Sequence, residues 1–290
     1  MVGVRRARLP GEVLFARMPW RFPRTFGLAE VGLYAAGGSL DFVRRHMAIV
    51  NELELLRGKL HGRLRVLDYG GANSPLSTFL RLYGLADRYQ VVVADVDVTA
   101  IANATLRKPL DSAVLLEPNG TLPFADGAFD AVVSSDVFEH IPRRDRPRWA
   151  KELHRVARHA QIHNIPCDGD DYVSSKADAA YQRWHIGRFG APEPWTAEHI
   201  ANGVPSVEEL MMLFPGAMIR GIANADLWLR TMKAEATQSS IAGRFARAVA
   251  YAIGRRHQDS HGPFKACLIT TSVGHSVYGE ASSSLSRIIR

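Results

Sequence analysis

Two short stretches carry residue types whose spacing could do chemistry. In "RVLDYGGANSP" an apolar run ends in Asp68 and is followed at once by Gly70, Gly71 and Ala72. Small residues after a strand let a ligand approach the backbone closely, and the turn is shaped to hold something. The next apolar run, "YQVVVAD", ends in Asp95, where an acid can accept both hydroxyls of a ribose. Each feature also has a plainer reading. A glycine turn can serve close packing alone, and Asp97 can simply cap the helix "VTAIANATL". The second stretch, "SSDVFEHIP", delivers Glu139 and His140 beyond another apolar run. A histidine near its ordinary pKa suits deprotonation of a hydroxyl, which makes His140 the leading catalytic candidate, with Glu139 beside it. The same pair could instead brace the loop by hydrogen bonds. His185 and His199 are second candidates.

These residues need elements to position them. From Leu64 onward, short apolar runs ("LRVLDY", "YQVVVAD", "SAVLLE", "FDAVVSS", "AQIHNIP", "AMIRGIA", "FKACLITTSV") alternate with helical stretches. Near-continuous hydrophobicity of this kind marks strands covered on both faces, and hence a mostly parallel sheet between helices. Ligands of such sheets bind beyond the carboxyl ends of the strands, where all the candidates above stand. A helix capped by Ser39, with Val43, Met47, Val50 and Leu53 on one face, leads into the first strand.

One domain over residues 39–275 is expected, preceded by an irregular arm (1–38) and followed by a flexible tail (276–290). Two insertions interrupt it. Residues 167–205 follow the fifth strand, hold Tyr172, Tyr181, Trp184 and Trp195, and make a candidate lid. Residues 226–262 are helical and include Ile241, Phe245, Val249 and Ile253 at a spacing of four, flanked by arginines. That stripe suits a core or dimer helix first and peripheral contact with an anionic membrane second.

The 290 residues suffice for a substantial core, and the formal charge of +7 favours anionic surroundings without choosing among them. No apolar run is long enough to span a membrane, and charges interrupt the N-terminus, so a cytoplasmic protein without a secretory signal is expected. Cys167 and Cys267 lie far apart in the sequence and outside metal-ligand spacing, as ordinary thiols would. Asp168, Asp170 and Asp171 lack the later glutamate of a calcium loop, and no metal centre is expected.

Taken in order, "VLDYGGANSP", "VVVADVD" and "LPFADGAFDAVVSSDVFEHIPRRDRPRWAKELHRVAR" resemble the class I S-adenosylmethionine-dependent methyltransferases, in particular the small-molecule branch with "LPF…FD…EH" and a following "EL.RV" helix. The resemblance covers Leu64 to Pro166 best. It implies a Rossmann-like α/β fold: a seven-stranded, mostly parallel sheet with helices on both faces and the last strand antiparallel. It implies S-adenosyl-L-methionine as cofactor, with Asp68, Gly70, Gly71 and Ala72 around its amino-acid part, Asp95 on the ribose, and Val96, Asn119 and Ser135 along the remainder. Two positions depart from the pattern. Ala72 and Ser74 stand where many relatives have glycine, and Pro118 replaces the acid that meets adenine.

A dinucleotide dehydrogenase is the nearest competitor, but the full G-x-G-x-x-G is missing. The acceptor suggested by the lid-like segment is a sugar or glycolipid hydroxyl, with a small aromatic or polyketide-like hydroxyl second. "SSDVFEH" stands in place of the Asp/Asn-Pro-Pro-aromatic element, which disfavours a nucleic-acid partner. The alternative is a scaffold or regulatory protein that binds the cofactor without turnover. Nothing in the sequence indicates an oligomeric state.

Overall fold

The computed structural model describes residues 39–71, 75–105, 112–117, 121–237, 240, 242–243, 245–246 and 261–273. The expected arm, the tail, Ala72, Asn119 and all of the 241–256 stripe except Phe245, which is exposed, lie outside the described residues.

Helix α1 (Leu40–Leu60) starts where expected, because the Ser39 hydroxyl accepts from the Phe42 N–H at 3.0 Å. Its stripe of Val43, Met47, Val50 and Leu53 is buried. Strand β1 (Leu64–Tyr69) follows, then α2 (Pro75–Leu82), β2 (Tyr89–Asp95), α3 (Val98–Thr105), β3 (Ser112–Leu115), β4 (Phe129–Ser135), α4 (Arg146–Val156) and β5 (Ala157–Pro166). Asp97 does cap α3, its carboxylate accepting from Thr99 N at 2.7 Å and Ala100 N at 3.2 Å.

The five strands lie parallel in the order β3-β2-β1-β4-β5. Strand β9 (Phe264–Ser272) runs antiparallel beside β5, and β8 (Met218–Asn224) pairs antiparallel with β9. These seven longer strands have the mostly parallel arrangement with an antiparallel last strand. A two-residue hairpin, β6 (Asp168–Gly169) with β7 (Tyr172–Val173), is added at the β9 edge. The period of two along each strand divides the core. Val66, Val91, Val93 and Val133 pack with α1 and α2 on one face. Leu67, Val92, Ala94 and Val132 pack with Leu153 of α4 on the other, together with Leu210 of helix α7 (Val207–Leu213).

The segment after β5 is folded. Helix α5 (Ser174–Phe189) ends at Gly190, whose φ of +74° is the left-handed turn that stops a helix. Helix α6 (Pro194–Asn202) restarts with Glu193 as its cap, accepting from Thr196 N at 2.8 Å. Tyr181 of α5 and Trp228 of α8 (Ala225–Thr237) share a small apolar cluster with Ala177 and Ala225. Cys167 and Cys267, distant in sequence, are buried free thiols in mutual contact, because β9 lies against β5.

Candidate active site

Strand order reverses at β1, with β2 and β3 on one side and β4 and β5 on the other, the place where open sheets of this kind take ligands beyond the strand ends. On the β1–β2 side the chain keeps close to itself. Gly70 has φ +66°, and a Cβ placed on it would lie 2.5 Å from Val137 Cγ2. A Cβ on Gly71 would lie 2.5 Å from Asp68 Cγ, so only glycine lets the Asp68 carboxyl fold against its own turn. Asp68 is buried, and among the described residues its Oδ2 has no hydrogen-bond partner. Burial, and then the nearby Asp95, push its pKa up to about 7. Asp95 ends β2 with Oδ1 accepting from Asp97 N at 3.0 Å. Val96 is 51% exposed at the rim, and the Ser135 hydroxyl lies buried without a partner at the end of β4.

These groups fit the amino-acid and ribose ends of S-adenosylmethionine. An orphaned buried carboxyl oxygen is a ready acceptor for an ammonium, and the glycines hold the backbone open to close approach. Pro118 and Asn119 lie outside the described residues, so the adenine end is not described.

The β4–β5 side is polar. Asp136, the first residue past β4, has φ +53°, a conformation a non-glycine residue keeps only when its surroundings hold it. Three groups do so: its N–H donates to Asn164 O at 3.0 Å, Asn164 Nδ2 donates to its Oδ1 at 2.6 Å, and Arg45 of α1 pairs with its Oδ2. Asp136, Asn164, His199, Trp228 and Lys265 line a small cavity. Lys265 is buried, with Nζ 2.6 Å from Ser174 Oγ and 3.1 Å from Asp178 Oδ2, and 4.8 Å from the centre of the Trp228 ring.

His140 and His199 meet beside this cavity. Their Nε2 atoms are 3.2 Å apart, His140 Nδ1 is 2.9 Å from Glu198 Oε2, and His199 Nδ1 is 3.2 Å from Asp178 Oδ2. Glu139 is fully buried, its Oε1 3.8 Å from His199 Nε2. Its pKa is raised well above the usual range by burial and by Asp136. The His140 pKa is lowered, first by burial and then by His199, although Glu198 opposes the shift.

The structure thus joins His140, Glu139 and His199, three of the sequence candidates. His185 is not with them: its Nδ1 is 2.8 Å from Ala191 O, bracing the α5–α6 turn. Of the lid aromatics, Trp184 stacks on Tyr181, whereas Trp195 is 66% exposed with its ring 5.7 Å from that of His140. Arg45, Asp136, Asp178 and Lys265 were not singled out in the sequence. Only Asp136 had a signal there, as an acid directly past a strand end.

A parallel sheet that reverses its strand order at β1, with an acid near the end of each of two adjacent strands, has the Rossmann-like arrangement. The family model Methyltransf_11, described as a methyltransferase domain, matches residues 67–162, from β1 into β5. Over that span, a part of the whole chain, the sequence is similar to a methyltransferase domain. Comparison with curated proteins gives no match. Solved structures similar in fold include the PH0226 protein of Pyrococcus horikoshii OT3, at 22% identity over 44% of this chain and 60% of that one, with a TM-score of 0.36. The YcgJ protein of Bacillus subtilis has 16% identity over 78% of this chain and 99% of that one, with a TM-score of 0.43. A geranyl diphosphate C-methyltransferase of Streptomyces coelicolor A3(2), crystallised with S-adenosyl-L-homocysteine, has 15% identity over 77% and 76%, with a TM-score of 0.45. Among the described residues no helix is long and apolar enough to cross a membrane.

Proposed function

We propose that the protein methylates a hydroxyl group of a small-molecule acceptor, a sugar or glycolipid before an aromatic or polyketide-like compound. The observation that carries this reading is the contact between the two sides of the strand-order reversal. Gly70, on the turn beside Asp68, packs against Val137, and Val137 lies two residues from Glu139 and three from His140. The cofactor turn and the polar cluster therefore adjoin.

S-adenosylmethionine supplies an electrophilic methyl group on a sulfonium. The protein's task is to hold donor and acceptor in line and to make the acceptor oxygen nucleophilic. Asp68 accepts from the donor's ammonium and Asp95 from its ribose hydroxyls. The acceptor hydroxyl is activated at the His140–His199 pair, the exposed Trp195 ring offers an apolar face to a sugar or aromatic ring, and α5 and α6 screen the site from water.

Calorimetry with S-adenosylmethionine and S-adenosylhomocysteine, followed by turnover with a panel of sugar, glycolipid and phenolic acceptors, tests the reading. Cofactor heat with methylation of a hydroxyl compound is expected. Cofactor heat without turnover on any acceptor would favour a scaffold. His140→Ala should lower kcat by about 10² to 10⁴ and leave cofactor affinity unchanged.

A further inference from the structure

The two imidazole rings can be accounted for nitrogen by nitrogen. A carboxylate only accepts, so His140 Nδ1 beside Glu198 and His199 Nδ1 beside Asp178 each carry the ring hydrogen. In neutral rings both Nε2 atoms then present lone pairs, 3.2 Å apart, with no hydrogen between them. The buried Glu139 carboxyl faces the same space, 3.8 Å from His199 Nε2, and among the described residues neither of its oxygens has a hydrogen-bond partner. One proton shared by the histidines would satisfy their lone pairs and still leave Glu139 unpaired. A protonated Glu139 would be too far from His199 to donate to it. A cation among the three satisfies every group at once.

We propose that Glu139, His140 and His199 bind one divalent transition-metal ion. Their ligand atoms lie within 4.8 Å of one another. Two imidazole nitrogens on one tetrahedral ion, at about 2.0–2.1 Å each, are separated by about 3.3 Å, close to the spacing found here. Two nitrogens and one oxygen select zinc or cobalt over manganese, magnesium or calcium. A carboxylate behind each Nδ1 is the arrangement that fixes a metal-binding histidine in its tautomer and raises its basicity. Three protein ligands leave a coordination position open. The His140 side chain, 21% exposed, marks the side on which an oxygen ligand enters. That this oxygen is the acceptor hydroxyl, acidified by the ion so that its proton passes to water, rests on the proposed methyl transfer; binding of the ion does not.

Titration of chelator-stripped full-length protein with Zn²⁺, Co²⁺, Mn²⁺ or Mg²⁺, read by calorimetry and by the visible spectrum of the Co²⁺ form, tests the site without acceptor or turnover. The expected result is about one equivalent of Zn²⁺ or Co²⁺ bound at micromolar affinity or tighter, and Mg²⁺ far more weakly. His199→Gln and Glu139→Gln should lose that binding. Glu198→Gln, at a half-exposed carboxylate that supports His140 without touching the ion, should weaken it by about 10 to 100-fold with folding intact. S-adenosylhomocysteine heat reports whether each variant is folded. Wild-type protein that binds none of these ions below millimolar concentration, or equal affinity in wild type, His199→Gln and Glu198→Gln, overturns the proposal.

Discussion

Arg146 and Glu209 form an ion pair inside the protein, Nη1 to Oε1 at 3.1 Å, with the arginine side chain 1% exposed. The same guanidinium donates through Nε to Phe138 O at 3.0 Å and Ile141 O at 3.1 Å, and through Nη2 to Gly203 O. Phe138 and Ile141 bracket Glu139 and His140, and Gly203 follows the helix that carries His199. Arg146 is therefore the brace that holds both halves of the histidine pair in place. Replacing it with Met strands the Ile141 and Gly203 carbonyls, takes one of two donors from Phe138 O, and leaves Glu209, among the described residues, with the exposed Arg143. Urea unfolding should show a loss of about 3 kcal/mol or more, and a loss below about 1 kcal/mol would remove Arg146 from this role.

Cofactor affinity should depend on the protonation of Asp68. Its carboxyl, pushed up from 3.8 to about 7, holds a proton in the unbound fold that the unfolded chain releases near pH 4. That group's effect on the unbound protein is thus a stability that falls as pH rises from about 4 to 7. An ammonium ligand prefers the carboxylate, so affinity for S-adenosylhomocysteine should increase from pH 5.5 to 7.5 and then level. Asp68→Asn should bind more weakly, with a flat profile over that range. A wild-type profile as flat as the mutant's would contradict the assignment.

The turn itself can be tested at Gly70. Alanine there must adopt a positive φ and push against Val137, at a cost of about 1–2 kcal/mol for the backbone alone. Gly70→Ala should lower cofactor affinity and melting temperature, and Gly70→Ala with Val137→Ala should recover part of the loss. No recovery would mean that the backbone conformation, and not the contact, makes glycine necessary.

Substitution of Trp195 should distinguish acceptor binding from cofactor binding. It is exposed beside His140 and distant in sequence from every cofactor candidate. Trp195→Ala should raise KM for a sugar or aromatic acceptor by about tenfold, in line with the loss of 1–2 kcal/mol of ring contact, and leave S-adenosylhomocysteine binding unchanged. An unaltered KM would assign the ring to some other task.

Asp95→Ala should weaken cofactor binding by about 2 kcal/mol or more if, as proposed, its carboxylate accepts from the ribose hydroxyls. Unchanged affinity by calorimetry would move that contact elsewhere.

The local elements of this protein were legible in its sequence because their causes are local. Near-continuous apolar runs became strands covered on both faces, Ser39 and Asp97 capped the helices they precede, and Asp68, Gly70 and Asp95 stand at strand ends because the chain turns there. The resemblance across residues 64–166 depends on the same contiguous blocks. The partners of His140 had no such signature. Glu198 and His199 lie nearly sixty residues beyond it on α6, and Asp178 on α5; only the folding of the segment after β5 back over the strand ends brings them to 3.2 Å or less of a ring nitrogen. Arg146 shows the same limit, for its stretch reads as one more basic helix start while the fold buries it among carbonyls. Periodicity reports which side of an element faces the core. Which polar groups meet across the core depends on how distant segments pack, and that the tertiary structure alone decided.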